Sequence, residues 1–122
     1  MNASKKTLVL GASLNGWRKS HDVVNRLAKH GHPVKAVGLR EGKIGEVNVT
    51  KELPAETDFD TVTLYLNAQN QKKYYDYILS LKPKRIIFNP GAENPELAAL
   101  AQQKGIETLD ACTLTMLAVG LY

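Results

Sequence analysis

Residues 7–16 read T-L-V-L-G-A-S-L-N-G, so a short apolar run gives way to glycine and small residues. A buried strand that ends in Gly11, Ala12 and Ser13 leaves backbone N–H groups open to a ligand, and the Ser13 hydroxyl adds a donor. The helix expected from about Ser20 would direct its free N–H groups and positive dipole end toward an anion. This pattern predicts a phosphate-binding turn, although Ser13 stands at the second glycine position of the dinucleotide fingerprint G-x-G-x-x-G.

The residues after the second predicted strand indicate which nucleotide is bound. An NAD-binding domain carries Asp or Glu there, because a carboxylate accepts hydrogen bonds from the ribose hydroxyls. This chain instead has Arg40 and, after Gly42, Lys43. Such a cationic pair favours a phosphate on the ribose, as in NADP or the 3′-phosphate of coenzyme A, and disfavours NAD.

Apolar runs alternate with amphipathic stretches along the chain. The runs predict strands at 7–10, 34–37, 61–66, 85–88 and 107–109, and the stretches predict helices at 21–30, 71–81, 94–104 and 113–121. The polar segment 41–59 is predicted as a loop with a short edge strand at 47–49. This order predicts one α/β domain over residues 1–122, a Rossmann-like three-layer α/β/α fold with a mainly parallel five- or six-stranded sheet.

Ligands of such sheets bind beyond the carboxyl ends of the strands. The third predicted strand is followed by Asn67 and Ala68, and the fourth by a turn that contains Asn89 and Gly91. We interpret that turn first as local structure and second as a wall of the site. Cys112 follows the fifth strand, and its favoured interpretation is a buried structural thiol.

Composition narrows the class of protein further. The 122 residues are 43% hydrophobic and 23% charged, with a formal net charge of +4 and a single cysteine. One cysteine suits a reducing compartment, and the amino-terminal residues M-N-A-S-K-K lack the apolar region of a secretory signal, so we expect a cytoplasmic protein. We expect a small-molecule nucleotide cofactor as the partner, with no nucleic acid and no membrane, and a homodimer through the apolar stretch 113–121 stays possible.

The histidines predict neither a metal site nor a catalytic residue. His30 and His32 flank Gly31 at the end of the sheet opposite the predicted site, and their spacing fits no closed zinc set. His21 is nearer the site but has no evident serine or acidic partner for a triad.

The order of the loops resembles that of the coenzyme-A-binding domain family. This family is typified by the N-terminal domain of the succinyl-CoA synthetase alpha subunit and by small stand-alone bacterial proteins. The resemblance rests on G-A-S at 11–13, R-K-S-H at 18–21, G-L-R-E-G-K at 38–43, N-P-G-A-E-N-P-E-L at 89–97 and D-A-C at 110–112. It covers nearly the whole chain.

The resemblance implies a coenzyme A site. It places Gly11, Ala12, Ser13 and Ser20 around the phosphate or pantetheine side of the ligand, Arg18 near a phosphate, Arg40 and Lys43 at the nucleotide's phosphates, and Asn67 and Ala68 along the adjacent wall. The chain departs from the small stand-alone members at Lys19 and His21, where those members tend to have proline and tyrosine. It also has no counterpart of the synthetase domain that carries the phosphorylated histidine, so synthetase activity is not implied.

The sequence therefore predicts a nucleotide-cofactor binding module, with coenzyme A or acyl-CoA as the ligand and no catalysis evident. The alternative is an NADP-binding oxidoreductase or a fragment of one, which Arg40 and Lys43 would serve equally well.

Overall fold

The computed structural model describes residues 4–122, so residues 1–3 of the predicted domain lie outside the described part. Its strands are β1 (Thr7–Ala12), β2 (Val34–Gly38), β3 (Gly42–Ile44), β4 (Val47–Thr50), β5 (Thr61–Leu64), β6 (Arg85–Phe88) and β7 (Glu107–Asp110). Its helices are α1 (Lys19–Lys29), α2 (Ala68–Gln71), α3 (Tyr75–Leu81), α4 (Pro95–Gln103) and α5 (Thr113–Ala118). A 3-10 turn, Lys72–Tyr74, joins α2 to α3.

Within these residues the strands form one sheet in the order β3-β4-β2-β1-β5-β6-β7. All neighbouring strands are parallel except β3 and β4. From β1 the chain first adds strands on one side and then returns to add β5 on the other. The carboxyl ends of β1 and β5 therefore form the switch point at which α/β sheets open a crevice.

The predicted Rossmann-like α/β fold is confirmed, with seven strands in place of five or six. The added strand comes from residues 42–50, where the expected loop and short edge strand form the antiparallel hairpin β3–β4. Ile44 and Val49 bury their side chains while polar neighbours such as Lys43 and Asn48 stay exposed. Because this alternation of buried and exposed residues is only a few residues long, the hairpin is difficult to recognise in a segment rich in polar residues.

Two apolar clusters hold helices against the two faces of the sheet. Because successive side chains of a strand point to opposite faces, Leu8 and Leu10 of β1 enter one cluster and Val9 enters the other. The first cluster packs under α3 and α4 through Ile78 and Leu97, and the second packs under α1 and α5. The sheet is thus covered on both sides, which leaves its carboxyl edge as the place for a cleft.

His32 lies at the opposite, amino edge of the sheet. Its Nδ1 atom accepts a hydrogen bond from the backbone N–H of Lys5 at 2.9 Å, and its ring centroid is 4.9 Å from that of Tyr122. Burial lowers the pKa of His32, and the positive charges of Lys5, His30 and Arg85 lower it further. Protonation would also remove the acceptor that Lys5 uses.

This environment predicts a pH-dependent stability. Since the pKa of His32 is lower in the folded chain than in the unfolded chain, the unfolded state binds the proton more readily. The contribution of His32 is therefore complete above the usual histidine value of 6.5 and is lost as the pH falls toward the lower folded pKa. Urea unfolding between about pH 7.5 and 5 measures it. We expect His32→Gln to flatten this profile and His21→Gln, near the start of α1, to leave it unchanged; parallel profiles for wild type and His32→Gln would contradict the assignment.

Candidate functional site

A cleft of about 470 Å³ opens at the carboxyl ends of β1, β2 and β5. This volume lies within the roughly 300–1,000 Å³ that small-molecule sites occupy. The cleft is lined by Leu10, Gly11, Ala12, Ser13, Leu14, Asn15, Arg18, Ser20, Val37, Gly38, Leu39, Arg40, Tyr65, Leu66 and Tyr74. The lining combines glycine and small residues with two arginines.

The turn after β1 requires glycine at its centre. Gly11 has φ of +94°, and a Cβ atom there would lie 3.0 Å from the carbonyl carbon of Tyr65 on the neighbouring strand's exit. A side chain would be strained by the backbone conformation and would also crowd the β5 side of the cleft. The chain therefore passes close to β5 with its backbone open to the cleft.

The loop from Ser13 to Arg18 is ordered by short-range hydrogen bonds. The backbone N–H of Asn15 donates to Ser13 Oγ at 3.1 Å, and Asn15 Oδ1 accepts from the N–H of Trp17 at 3.0 Å. The N–H of Arg18 donates to the Asn15 carbonyl at 3.0 Å and ends the loop where α1 begins. Ser13 thus supports the loop through the oxygen atom of its hydroxyl group, while its hydrogen is free to point toward a ligand.

The N-terminus of α1 lies at the cleft wall, because Arg18 and Ser20 both line the cleft on either side of the first helical residue. Within residues 4–122, no side chain caps this helix end. The N–H of His21 already donates to the Arg18 carbonyl at 3.0 Å. Among the described residues, the N–H groups of Lys19 and Ser20 and the positive end of an 11-residue helix are therefore left for an anion. The guanidinium of Arg18 adds a full positive charge at the same place.

Tyr65 and Gln71 shape the β5 side of the site. The Tyr65 hydroxyl is buried without a hydrogen-bond partner among the described residues, and burial raises its pKa, so it stays a protonated donor at neutral pH. The fully buried Gln71 donates from Nε2 to the carbonyls of Leu66 and Ala92, each at 2.7 Å, and accepts from Asn94 Nδ2 at 2.8 Å. Gln71 thus ties the cleft residue Leu66 to the loop after β6.

Sequence comparison identifies the family. Residues 5–118 match the CoA binding domain family. The chain belongs to the CoA-binding domain family. No curated protein matches this CoA-binding domain.

Solved structures agree with the fold. One uncharacterised protein of known crystal structure is 48% identical, with a TM-score of 0.94 over 99% of this chain and 100% of that chain. A hypothetical protein from Pyrococcus horikoshii OT3 is 20% identical, with a TM-score of 0.81 over 92% of this chain and 80% of that chain. The protein called cell-free ID.343, from Thermus thermophilus, is 20% identical, with a TM-score of 0.82 over 97% of this chain and 91% of that chain. At such low identity the last two show the fold alone.

The CoA-binding domain brings six of the predicted site residues together in one cleft. These are Gly11, Ala12, Ser13, Arg18, Ser20 and Arg40. The other five, Lys43, Asn67, Ala68, Asn89 and Gly91, are not among its lining residues. Whether either group contacts a ligand stays a prediction.

The five outlying residues have visible local environments. Lys43 is exposed on β3, opposite Asn48, so only Arg40 of the predicted cationic pair faces the cleft. Asn67 caps α2 by accepting from the N–H of Asn70 at 2.9 Å, and Ala68 begins that helix.

Gly91 lies in the exposed turn after β6, with φ of +93°. Its N–H donates to Glu93 Oε1 at 3.0 Å. The turn geometry accounts for its residue type.

Asn89 is buried and makes three hydrogen bonds. Its Nδ2 atom donates to Thr63 Oγ1 at 2.7 Å and to the Leu64 carbonyl at 2.9 Å, and its Oδ1 atom accepts from the Thr113 N–H at 2.9 Å. These bonds join β5, β6 and the start of α5. Both N–H bonds of the side-chain amide and one lone pair of Oδ1 are therefore used within the fold.

We therefore expect Asn89→Ala to lower the free energy of unfolding by about 2–3 kcal/mol, because it leaves the buried Thr113 N–H without its acceptor and removes one of the two donors to the Leu64 carbonyl. Urea unfolding measures the loss. The exposed cap variant Asn67→Ala is the control, with an expected cost of about 1 kcal/mol or less. Equal costs for the two variants would show that the Asn89 network carries little stability.

Several residues that line the cleft were missed from sequence, among them Tyr65, Leu66 and Tyr74. The predicted strand 61–66 ends at Leu64, which turns Tyr65 and Leu66 from strand residues into the loop that borders the cleft. Tyr74 lies in the 3-10 turn that interrupts the predicted helix 71–81. Apolar and aromatic residues occur alike in strands, in helices and along the lining of a cleft. The residue types alone therefore did not identify these three as cleft residues.

Cys112 is half-buried beside this region and does not line the cleft. Burial raises the pKa of its thiol, but hydrogen bonds from Thr115 and Leu114 and the charge of Lys19 outweigh burial, so the pKa lies below its usual value. Among residues 4–122, no three His, Cys, Asp or Glu side chains are grouped to hold a metal ion. Over the same residues, every helix is too short or too polar to cross a bilayer.

Proposed function

We propose that this CoA-binding domain holds coenzyme A or an acyl-CoA in the cleft at the β1–β5 switch point, as a binding module without catalysis of its own. The observation that carries the proposal is the convergence of the Gly11–Ser13 turn, the uncapped N-terminus of α1 and two arginines on one cleft. Backbone donors, a helix dipole and guanidinium groups are the features that bind phosphates.

Each part of the ligand has a matching surface. The pyrophosphate would accept hydrogen bonds at the α1 N-terminus, beside Arg18. Arg40 follows β2, where the ribose of a Rossmann-bound nucleotide lies, and its guanidinium suits the ribose 3′-phosphate. The exit of β5, with Leu66 and Tyr74, offers apolar contacts for the pantetheine arm.

Calorimetric titration tests the proposal. We expect coenzyme A to bind, and 3′-dephospho-coenzyme A to bind about tenfold or more weakly, because a charge-assisted hydrogen bond contributes about 1.5–3 kcal/mol. If neither ligand gives a binding heat near millimolar concentration, the proposal is wrong. Tighter binding of NADPH than of coenzyme A would favour the oxidoreductase alternative instead.

Native mass spectrometry of the purified protein supplies an independent readout. A co-purified mass equal to that of coenzyme A or an acyl-CoA would support the proposal and identify the acyl group. A co-purified dinucleotide would contradict it.

A further inference from the structure

Trp17 is the most exposed large apolar side chain in the described part of the chain, at 96%. Its backbone is nevertheless held in place, because its N–H donates to Asn15 Oδ1 and the next residue's N–H donates to the Asn15 carbonyl. A tryptophan in water forgoes a large favourable burial of apolar surface. Because its backbone is held in this way, the indole is positioned to contact a molecule that binds beside the loop.

Trp17 lies at the rim of the cleft described above. Asn15 and Arg18, on either side of it in sequence, both line the cleft. Leu39 lines the cleft from the loop after β2 and is 86% exposed. The two loops are neighbours, because β1 and β2 pair in parallel up to Ala12 and Gly38.

The loop that carries Trp17 is also anchored on its other side. A Cβ atom on Gly42 would lie 2.8 Å from Leu14 Cδ1, so Leu14 packs directly against the start of β3. This contact fixes the loop to the β3–β4 hairpin beside the cleft mouth. The apolar rim is therefore part of the site's framework.

Charge at the rim decides between possible occupants. Arg18 and Lys19 follow Trp17, and Arg40 follows Leu39, so each exposed apolar side chain stands next to a cation. A docked protein face would have to cover these cations together with the apolar groups, and desolvating them unpaired is costly. A ligand that joins a flat ring to phosphate groups satisfies both kinds of residue at once.

We infer that Trp17 stacks on the purine base of the nucleotide bound in the cleft, with Leu39 bordering the same base and the adjacent arginines meeting its phosphates. The inference rests on the proposed function and adds a contact for the purine base, the group that distinguishes a nucleotide from a simple phosphate ester. Aromatic stacking on a base is tolerant of sequence and geometry, and it responds to the π-face of the ring.

Trp17 is the only tryptophan in the chain, so its fluorescence reports this contact directly. We expect adenosine 3′,5′-bisphosphate and coenzyme A to quench the emission, and 4′-phosphopantetheine, which lacks the base, to leave it unchanged. In calorimetry, Trp17→Ala is expected to weaken both nucleotide ligands roughly fivefold or more, the lower end of base–aromatic stacking. Trp17→Phe retains a ring and is expected to lose less.

Leu121→Ala is the matched control, since Leu121 is 73% exposed and lies near the opposite edge of the sheet. We expect this variant to bind all ligands as the wild type does. Equal affinity for coenzyme A in wild type and Trp17→Ala would overturn the inference and leave the proposed function unaffected. Quenching by 4′-phosphopantetheine but not by the bisphosphate would also overturn it. Absence of coenzyme A heat in the wild type would overturn both.

Discussion

Gly38→Ala is expected to destabilise the chain by about 3 kcal/mol or more, the upper part of the range for overpacking a close-packed site. Gly38 ends β2, and a Cβ atom built on it would overlap the carbonyl oxygen of Ala12 on β1. The same Cβ would lie 3.1 Å from Val49 on β4, so the strand cannot move away from β1 without pressing on its other neighbour. Backbone on one side and a buried side chain on the other leave little room for relaxation.

Thermal and urea unfolding measure this loss. Gly16→Ala is the matched control, because nothing lies within 4 Å of a Cβ built there, and we expect a change within about 0.5 kcal/mol. Near-wild-type stability for Gly38→Ala would mean that β1 and β2 separate more easily than their close approach indicates. Gly16 also lies in the β1–α1 loop, so this variant measures the effect of a glycine-to-alanine change near the same cleft without the steric overlap.

The fold was predictable from sequence where burial dominates. The strand Arg85–Phe88 has four buried residues in a row, and its bounds match the predicted ones, because a strand covered on both faces shows as a short continuous apolar run. The helix beginning at Pro95 carries its signals locally, with Asn94 accepting from the Leu97 N–H. Of the hairpin β3–β4, the strand at 47–49 was predicted and β3 was missed, because β3 spans three residues and buries only Ile44.

The candidate site divides along the same line. The turn at Gly11–Ser13 and the position of Arg40 follow from backbone chemistry at strand ends, and the structure places them in one cleft. The direction of a side chain depends on tertiary partners, which a single sequence does not reveal. Asn89 points inward to Thr63 and Thr113, and Lys43 follows the exposed face of β3, although both stand near strand ends in sequence.

Reversing the charge at both cleft arginines, Arg18 and Arg40, is expected to weaken coenzyme A binding by at least about 100-fold. Each charge-assisted hydrogen bond to a phosphate contributes about 1.5–3 kcal/mol, so two of them correspond to a hundredfold or more at 1.4 kcal/mol per tenfold change. In Arg18→Glu/Arg40→Glu the new carboxylates would also repel the phosphates. Calorimetry at low salt gives the largest contrast, and added salt is expected to narrow it.

Loss of folding would not explain such a result. Within residues 4–122, neither Arg18 nor Arg40 forms a salt bridge, so their replacement breaks no ion pair. A glutamate in place of Arg18 precedes α1 and interacts favourably with the helix dipole, by about 0.3–1 kcal/mol. The variant is therefore expected to unfold at a temperature near that of the wild type.

A matched variant with the same net charge tests whether the change in net charge alone accounts for the weaker binding. Each Arg→Glu change alters the charge by −2, so the double variant goes from +4 to 0. Lys29→Glu/Lys104→Glu makes the same change at exposed positions near the ends of α1 and α4, away from the cleft. Binding weakened equally in both variants would indicate general attraction of an anion. Binding lost only in the arginine variant would support phosphate contacts at Arg18 and Arg40. Retention of binding within about threefold in the arginine variant would remove the cleft from the proposed function, since two charge-assisted bonds correspond to far more.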